Sequence, residues 1–151
     1  MRCMTSPIFI DANIPIYATG GEHPFREPCR EIVVLTLHRR AAFFTNAEAV
    51  QEVLYHCLRM RRWPGGAVAV SEFAVAMENR VEPIYVADVL RAGAFAEQLQ
   101  GLSSRDLIHL AVMERIGADT IITADRAFDV APGITRLDPA ALPGWRATVE
   151  A

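Results

Sequence analysis

Pro7-Ile8-Phe9-Ile10-Asp11 and, far along the chain, Thr120-Ile121-Ile122-Thr123-Ala124-Asp125 decide how this sequence folds. Each is a short apolar run that leads into an aspartate. Such runs of β-branched and aromatic residues read as strands buried on both faces, as parallel sheets require. Helical patterns lie between them. Strands that alternate with helices imply βαβ units, and ligands of such sheets bind at the carboxyl ends of the strands, where strand order reverses. Asp11 and Asp125 are both placed at that edge.

Working outward from Asp11, Cys29, Ile32, Val33 and Thr36 recur at helical spacing and predict a helix over Pro24 to Arg40. Ala41 to Thr45 reads as a second strand. Asn46 is a good helix N-cap, followed by Ala47, Val50, Val53, Leu54 and Cys57 on one face. Trp63-Pro64-Gly65-Gly66 breaks the pattern. A helix from Ala67 to Asn79, a strand from Pro83 to Val86 and a helix from Asp88 to Leu99, closed by Gly101, come next. Ser103 or Ser104 opens a helix that stops at Gly117, a residue suited to a left-handed C-terminal cap. Thr120 to Thr123 and Ile134 to Leu137 are the last two strands. The tail from Pro139 reads as irregular.

A length of 151 residues fits one domain over 1–151, with 1–6 and 140–151 peripheral. Cys3, Cys29 and Cys57 are odd in number and form no CxxC pair, which argues for a reducing compartment and against a disulfide framework or zinc site. The one apolar stretch near the start is interrupted by Asp11, Asn13 and Pro15, so it predicts neither a signal peptide nor a membrane span. The expected location is the cytoplasm, with no membrane partner. The net charge of −3 does not describe a basic nucleic-acid binder, yet all 15 basic residues are Arg. Clusters at Arg39-Arg40 and at Arg59, Arg61 and Arg62 are either solvated helix ends or phosphate contacts, which the guanidinium fork suits. The absence of Lys argues against a P-loop.

Four acids stand out. Asp11 either caps the following helix or serves a site. Asp106 falls three residues after Ser103, where a capping-box partner or a first-turn charge is expected. Asp125 suits an Asx turn. Glu52 lies nearly opposite the apolar stripe of its helix, on a polar face with Glu48 and Arg59, and the helical wheel does not choose between the two glutamates. Taken together, carboxylates from two strand ends and two helices would repel at one edge unless cations neutralised them. Mg²⁺ takes oxygen ligands, lowers the pKa of water and stabilises the oxygens of an in-line displacement at phosphorus, with no Lys, Ser or Cys nucleophile needed.

Four stretches, Phe9-Ile10-Asp11-Ala12-Asn13-Ile14-Pro15-Ile16-Tyr17, the run from Thr45 to His56, the run from Ser103 to Met113 and the run from Ile121 to Asp129, resemble in this order the PIN-domain family. Within it they are similar to the VapC-type toxins of toxin–antitoxin pairs. The resemblance implies a Rossmann-like, mostly parallel five-stranded α/β sheet of order 3-2-1-4-5, flanked by helices. It implies an endoribonuclease dependent on Mg²⁺, with Mn²⁺ possible, that forms a homodimer and binds an antitoxin. The catalytic acids fall on Asp11, Glu52, Asp106 and Asp125. Asp11 and Asp106 would be the principal metal ligands, and the match selects Glu52 over Glu48. Asn13 and Thr123 fall on accessory polar positions, and Asp129 is a further acid with a surface role as its alternative.

His56 and His109 lie close to these acids in sequence and are expected to be structural, with substrate contact open for His109. The stretch from Trp63 to Met77, with Val68, Val70, Phe73 and Val75, offers either core or a surface for a dimer or antitoxin partner. Two other readings compete: a non-catalytic PIN-like module that binds RNA or protein, and a haloacid-dehalogenase-like phosphatase. The second expects an acid at position 13, where this chain has Asn, and a lysine that it lacks.

Overall fold

The computed structural model describes residues 6–151, so Cys3 and the first five positions of the expected peripheral segment lie outside it. The strands are β1 (Ile8–Ile10), β2 (Phe43–Asn46), β3 (Val81–Glu82), β4 (Thr120–Ile122) and β5 (Thr135–Leu137). The helices are α1 (Asn13–Thr19), α2 (Arg26–His38), α3 (Ala47–Arg59), α4 (Ala67–Ala76), α5 (Val86–Ala96), α6 (Ser104–Ile116) and α7 (Leu142–Glu150). The strands form one five-stranded sheet in the order β3-β2-β1-β4-β5, as expected, and every neighbouring pair is parallel.

β1 is central because it can be buried from both sides. Phe9 and Ile10 are both sealed from solvent, and Phe9 meets the edge of Phe44 on β2 at 5.4 Å between ring centroids. The register sets Ile8 opposite both Phe43 and Thr120, so the strand ends on either side of β1 reach the same edge. The ladder continues one residue past β1, where the Asp11 amide donates to the Ile122 carbonyl at 3.2 Å. Cys29, Ile32 and Leu35 of α2 and Ala49, Val53 and Cys57 of α3 close the core over the sheet. Among the described residues, no helix is long and apolar enough to cross a membrane.

Several local expectations shift. Residues 13–19 form a helix despite Pro15, because a proline in the first turn removes an N–H that has no partner there anyway. β2 starts at Phe43, since Arg40–Ala42 form a 3₁₀ turn before it. The third strand is Val81–Glu82 and not Pro83 to Val86: Pro83 has no N–H to donate and ends the pairing. α4 stops at Ala76, before Asn79 turns into the left-handed region at φ 64°. α5 opens two residues early because the Asp88 carboxylate reaches back to the Tyr85 amide at 2.8 Å and caps it. Gly117 takes the left-handed C-terminal cap of α6 at φ 77°, as its sequence position predicts.

The largest correction is the tail. Pro139–Ala141 form a 3₁₀ turn and Leu142–Glu150 a helix, because Leu142, Trp145 and Val149 recur at helical spacing and find the core. The Trp145 ring is buried, and its indole N–H donates to the Asp138 carbonyl at 2.8 Å. Truncation of a buried aromatic of this size costs about 3 kcal/mol or more. Trp145→Ala should therefore lower the urea midpoint with an unchanged denaturant slope; an unchanged midpoint would show that α7 adds nothing to the core.

Candidate metal and catalytic site

Asp11 is the end of the central strand, and its carboxylate is held from three sides. Oδ1 accepts from the Ala12 amide at 2.7 Å; Oδ2 accepts from the Thr123 hydroxyl at 2.7 Å and from the Asn13 amide at 3.2 Å. Thr123, fully buried at the end of β4, accepts in turn from Asn13 Nδ2 at 2.8 Å and from the Asp125 amide at 3.0 Å. Asn13 Oδ1 accepts from the Ala124 amide at 3.2 Å. Asn13 and Thr123 thus tie the ends of β1 and β4 together at the point where strand order reverses, and in doing so fix the Asp11 side chain.

Glu52 comes from α3. The face of α3 that meets the core runs through Ala49, Val53 and Cys57, not through Val50 and Leu54, so Glu52 lies on the flank of the buried stripe and reaches the sheet edge. Its Oε1 is 2.8 Å from His109 Nε2 on α6, and the same nitrogen is 3.7 Å from Asp11 Oδ1. Ligand atoms of Asp11, Glu52 and His109 all lie within 4.8 Å of one another, the one triplet of this kind among the described residues. Glu48, one turn earlier, pairs with Arg105 at 3.4 Å.

The proton on His109 can be placed from its neighbours. Asn46 caps α3, its Oδ1 accepting from the Ala49 amide at 2.9 Å, which turns its Nδ2 toward His109 Nδ1 at 3.0 Å. An amide N–H₂ can only donate, so Nδ1 accepts and Nε2 carries the proton that goes to Glu52. Burial pushes this ring down from its ordinary pKa, and the Glu52 hydrogen bond with the charges of Asp11, Glu52 and Asp106 outweighs it and raises the value. A second proton on Nδ1 would face the Asn46 donor, so the neutral ring satisfies every polar atom.

Asp106 and Asp125 stand apart from the triplet. Asp106 forms a capping box with Ser103, accepting from the Ser103 amide at 2.9 Å, and its charge still reaches His109. Asp125 is exposed and accepts from the Ala127 amide at 2.9 Å. Asp129 is held by Arg136 at 2.8 Å, which engages it as a surface ion pair. His56 lies on α3 outside the triplet, and its pKa is lowered by burial and by Arg62 and Arg59. The Cys29 thiol, pushed up to about 12 by burial and then by Asp138, is no nucleophile. From the sequence His109 reads as structural with substrate contact open, and Asn46 only as a helix cap. The available signal was one polar residue inside the apolar run Leu107 to Met113, three positions after Asp106 and so on the same helix face.

Fold and site together define a Rossmann-like α/β fold with an acidic cluster at its switch point. The chain belongs to the PIN-domain family, whose model matches residues 8–134. It is 35% identical over 121 residues to Ribonuclease VapC23 of Mycobacterium tuberculosis, covering 78% of this chain and 92% of that protein. The crystal structure of M. tuberculosis VapC20, described as a sarcin–ricin loop cleaving toxin, superposes with a TM-score of 0.66 at 17% identity, over 83% of this chain and 95% of that one. A toxin–antitoxin complex from Klebsiella pneumoniae superposes with a TM-score of 0.59 at 19% identity, over 89% and 98%.

Burial is the largest influence on Asp11 and lifts its pKa from 3.8 to about 6; His109 and the Thr123 hydrogen bond pull it down, and Glu52 pushes it up. The folded chain therefore holds this proton more tightly than the unfolded chain. The resulting stability is complete below pH 3.8 and is lost as pH rises through about 6. The full loss corresponds to about 3 kcal/mol. In metal-free buffer, Asp11→Asn should raise stability at pH 8 by up to that amount, with the gain shrinking toward pH 4. Urea titrations across this range check it, and a pH-independent gain would show that Asp11 is not strained by its charge.

Proposed function

We propose that this chain is an endoribonuclease that hydrolyses RNA phosphodiester bonds with the help of Mg²⁺ or Mn²⁺, and that it acts in the cytoplasm as the toxin of a toxin–antitoxin pair. The observation that carries the reading is a buried carboxylate, Asp11, within 4.8 Å of Glu52 at the carboxyl edge of the central strand. Each charge disfavours the other, and a divalent cation relieves both. The oxygen-rich donor set suits a hard cation of this kind.

Asp11 and Asp106 would hold the cation, with Glu52 and Asp125 in support. When bound, it supplies Lewis-acid polarisation of the phosphate and lowers the pKa of water. The chain's own residues do the rest. Thr123, Asn13 and the Ala12 amide orient Asp11. His109 orients Glu52 through its Nε2–H and is, in this reading, a positioning residue and not a ligand. Hydrolysis removes a proton from water as the new P–O bond forms and delivers one to the departing ribose oxygen. Glu52, the partly solvent-open carboxylate of the pair, is assigned to accept the first.

The partner reading follows from similarity to the Klebsiella toxin–antitoxin complex. Of the stretch expected to supply surface, Phe73 is buried and Val70 partly so, while Val68 and Val75 are exposed. An apolar groove of 260 Å³ between α1, α2 and α4, lined by Ile14, Val33, Val34, Phe73 and Met77, is the proposed seat of an antitoxin helix. A homodimer remains part of the proposal.

Loss of outer partners of a metal ligand alone lowers activity about 10–100-fold, so loss of a ligand should exceed that. Asp11→Asn is expected to cut Mg²⁺-dependent RNA cleavage by more than about 100-fold while circular dichroism stays native. Undiminished cleavage would take Asp11 out of the chemistry.

A further inference from the structure

An acidic centre repels the polyanion that a nuclease must hold, so cationic groups have to adjoin it. Glu48, Glu52, Tyr55 and Arg59 fall at i, i+4, i+7 and i+11 of α3 and share one face. Tyr55 is one turn, about 4.5 Å of helix rise, beyond Glu52. Arg105 of α6 lays its guanidinium over the Tyr55 ring, 4.5 Å from the centroid, and Arg59 Nη1 donates to the Tyr55 hydroxyl at 3.3 Å. Tyr55 remains 42% exposed.

Arg105 is poorly matched to a purely structural role. It lies in the first turn of α6, where the helix macrodipole disfavours a cation. Its ion pair with Glu48 is long, at 3.4 Å, and the two side chains are 35% and 23% exposed. Such a pair is worth at most about 1 kcal/mol and yields readily to a stronger anion. A phosphate offers a matching fork for the guanidinium. An aromatic ring flanked by two arginines is also the usual platform for an unstacked base.

We propose that Tyr55, Arg105 and Arg59 form a subsite for the single-stranded stretch of RNA next to the phosphodiester that is cut, with a base against the exposed part of Tyr55 and Arg105 on a neighbouring phosphate after it leaves Glu48. Duplex RNA keeps its bases stacked inside the helix and is excluded from the ring. The inference rests on the nuclease reading for its place beside Glu52, but its readout is binding and needs no cleavage.

The test is fluorescence anisotropy with a short labelled oligouridylate and with an RNA duplex of equal length, in the Asp11→Asn background so that RNA stays intact. Tyr55→Ala should weaken oligouridylate binding about tenfold, the order of one base–aromatic stack, and Tyr55→Phe should restore it. Arg105→Ala should lower the salt slope by about 0.7, one single-strand phosphate contact. Glu48→Gln should tighten binding by releasing Arg105, and the gain beyond the loss of one negative charge should vanish in the Arg105→Ala background. Duplex affinity should not change in the Tyr55 variants, and in the two charge variants it should change less than oligouridylate affinity. Unchanged oligouridylate affinity in both Tyr55→Ala and Arg105→Ala overturns the subsite, as does equal loss for the duplex. So does a shift of Tyr55→Ala from dimer to monomer in sedimentation at unaltered RNA affinity, which would make the face a contact between copies. Cleavage that survives Asp11→Asn with these binding losses intact would instead sink the catalytic assignment and leave the subsite standing.

Discussion

Asp11, a residue with 4% of its surface exposed, has lost nearly all of the hydration of its carboxylate, and it stands at the end of the central strand. Burial of an unpaired charge is among the most destabilising events in a fold. Asp11 survives it because a backbone amide, a hydroxyl and a side-chain amide all point at its two oxygens. The hydroxyl, and the Asn13 amide that it and Ala124 hold in place, are available because β1 and β4 run parallel and end level with each other. The site therefore depends on the register of the central strand pair, and a one-residue slip would carry Thr123 to the opposite face.

The same constraint orders the second layer of the site. Asn46 ends β2, so the strand beside β1 delivers the α3 cap to the sheet edge. That cap fixes which way the Asn46 amide faces, the amide fixes the His109 tautomer, and the tautomer aims a proton at Glu52. Helix capping, usually a matter of about 1 kcal/mol of local stability, here also sets the orientation of an acid on the flank of the core stripe.

The strands and the aspartates at their ends were legible in the sequence because buried parallel strands are short, apolar and β-branched, as in Phe9-Ile10 and Ile121-Ile122, whereas their order came from the resemblance to the PIN-domain family. The helix from Ser103 to Gly117 was legible because both of its caps are local signals. What was not legible depended on tertiary partners. Glu52 looked solvated because Val50 and Leu54 were read into the stripe, whereas the fully buried residues of α3 are Val53 and Ala49, the latter small enough to approach the sheet. Trp145 looked like tail until the core supplied a surface for it. Among the four expected acids, the structure brings Asp11 and Glu52 together. Asp106 and Asp125 lie outside that pair and cap the N-termini of α6 and of the 3₁₀ turn Arg126–Val130, so their place at a cation stays part of the proposal. The hold of His109 on Glu52 was not legible because a histidine in an apolar helix is more often a satisfied core residue, and only the turn of Asn46 toward it gives the ring this task.

The lysine-free composition finds a physical reading in how the arginines are used. Arg115 forks onto Asp88 at 2.9 Å while also reaching Glu82 and the Pro83 carbonyl, and Arg136 joins Asp129, Asp138 and the Thr123 carbonyl. Arg91 grips Glu114 with two bonds, and Arg146 links Glu31 to Glu150. These multidentate ties need a planar fork with several donors, which an ammonium cannot supply. They cross-link α5 to α6, β5 to the loops beside β4, and α7 to α2. Against that background Arg105 is the exception: one long contact to a carboxylate, an aromatic ring beneath it, and a helix end that repels it. An arginine held this loosely beside the buried acid can leave its partner when a phosphate arrives, whereas Arg91, Arg115, Arg136 and Arg146 are committed to the fold.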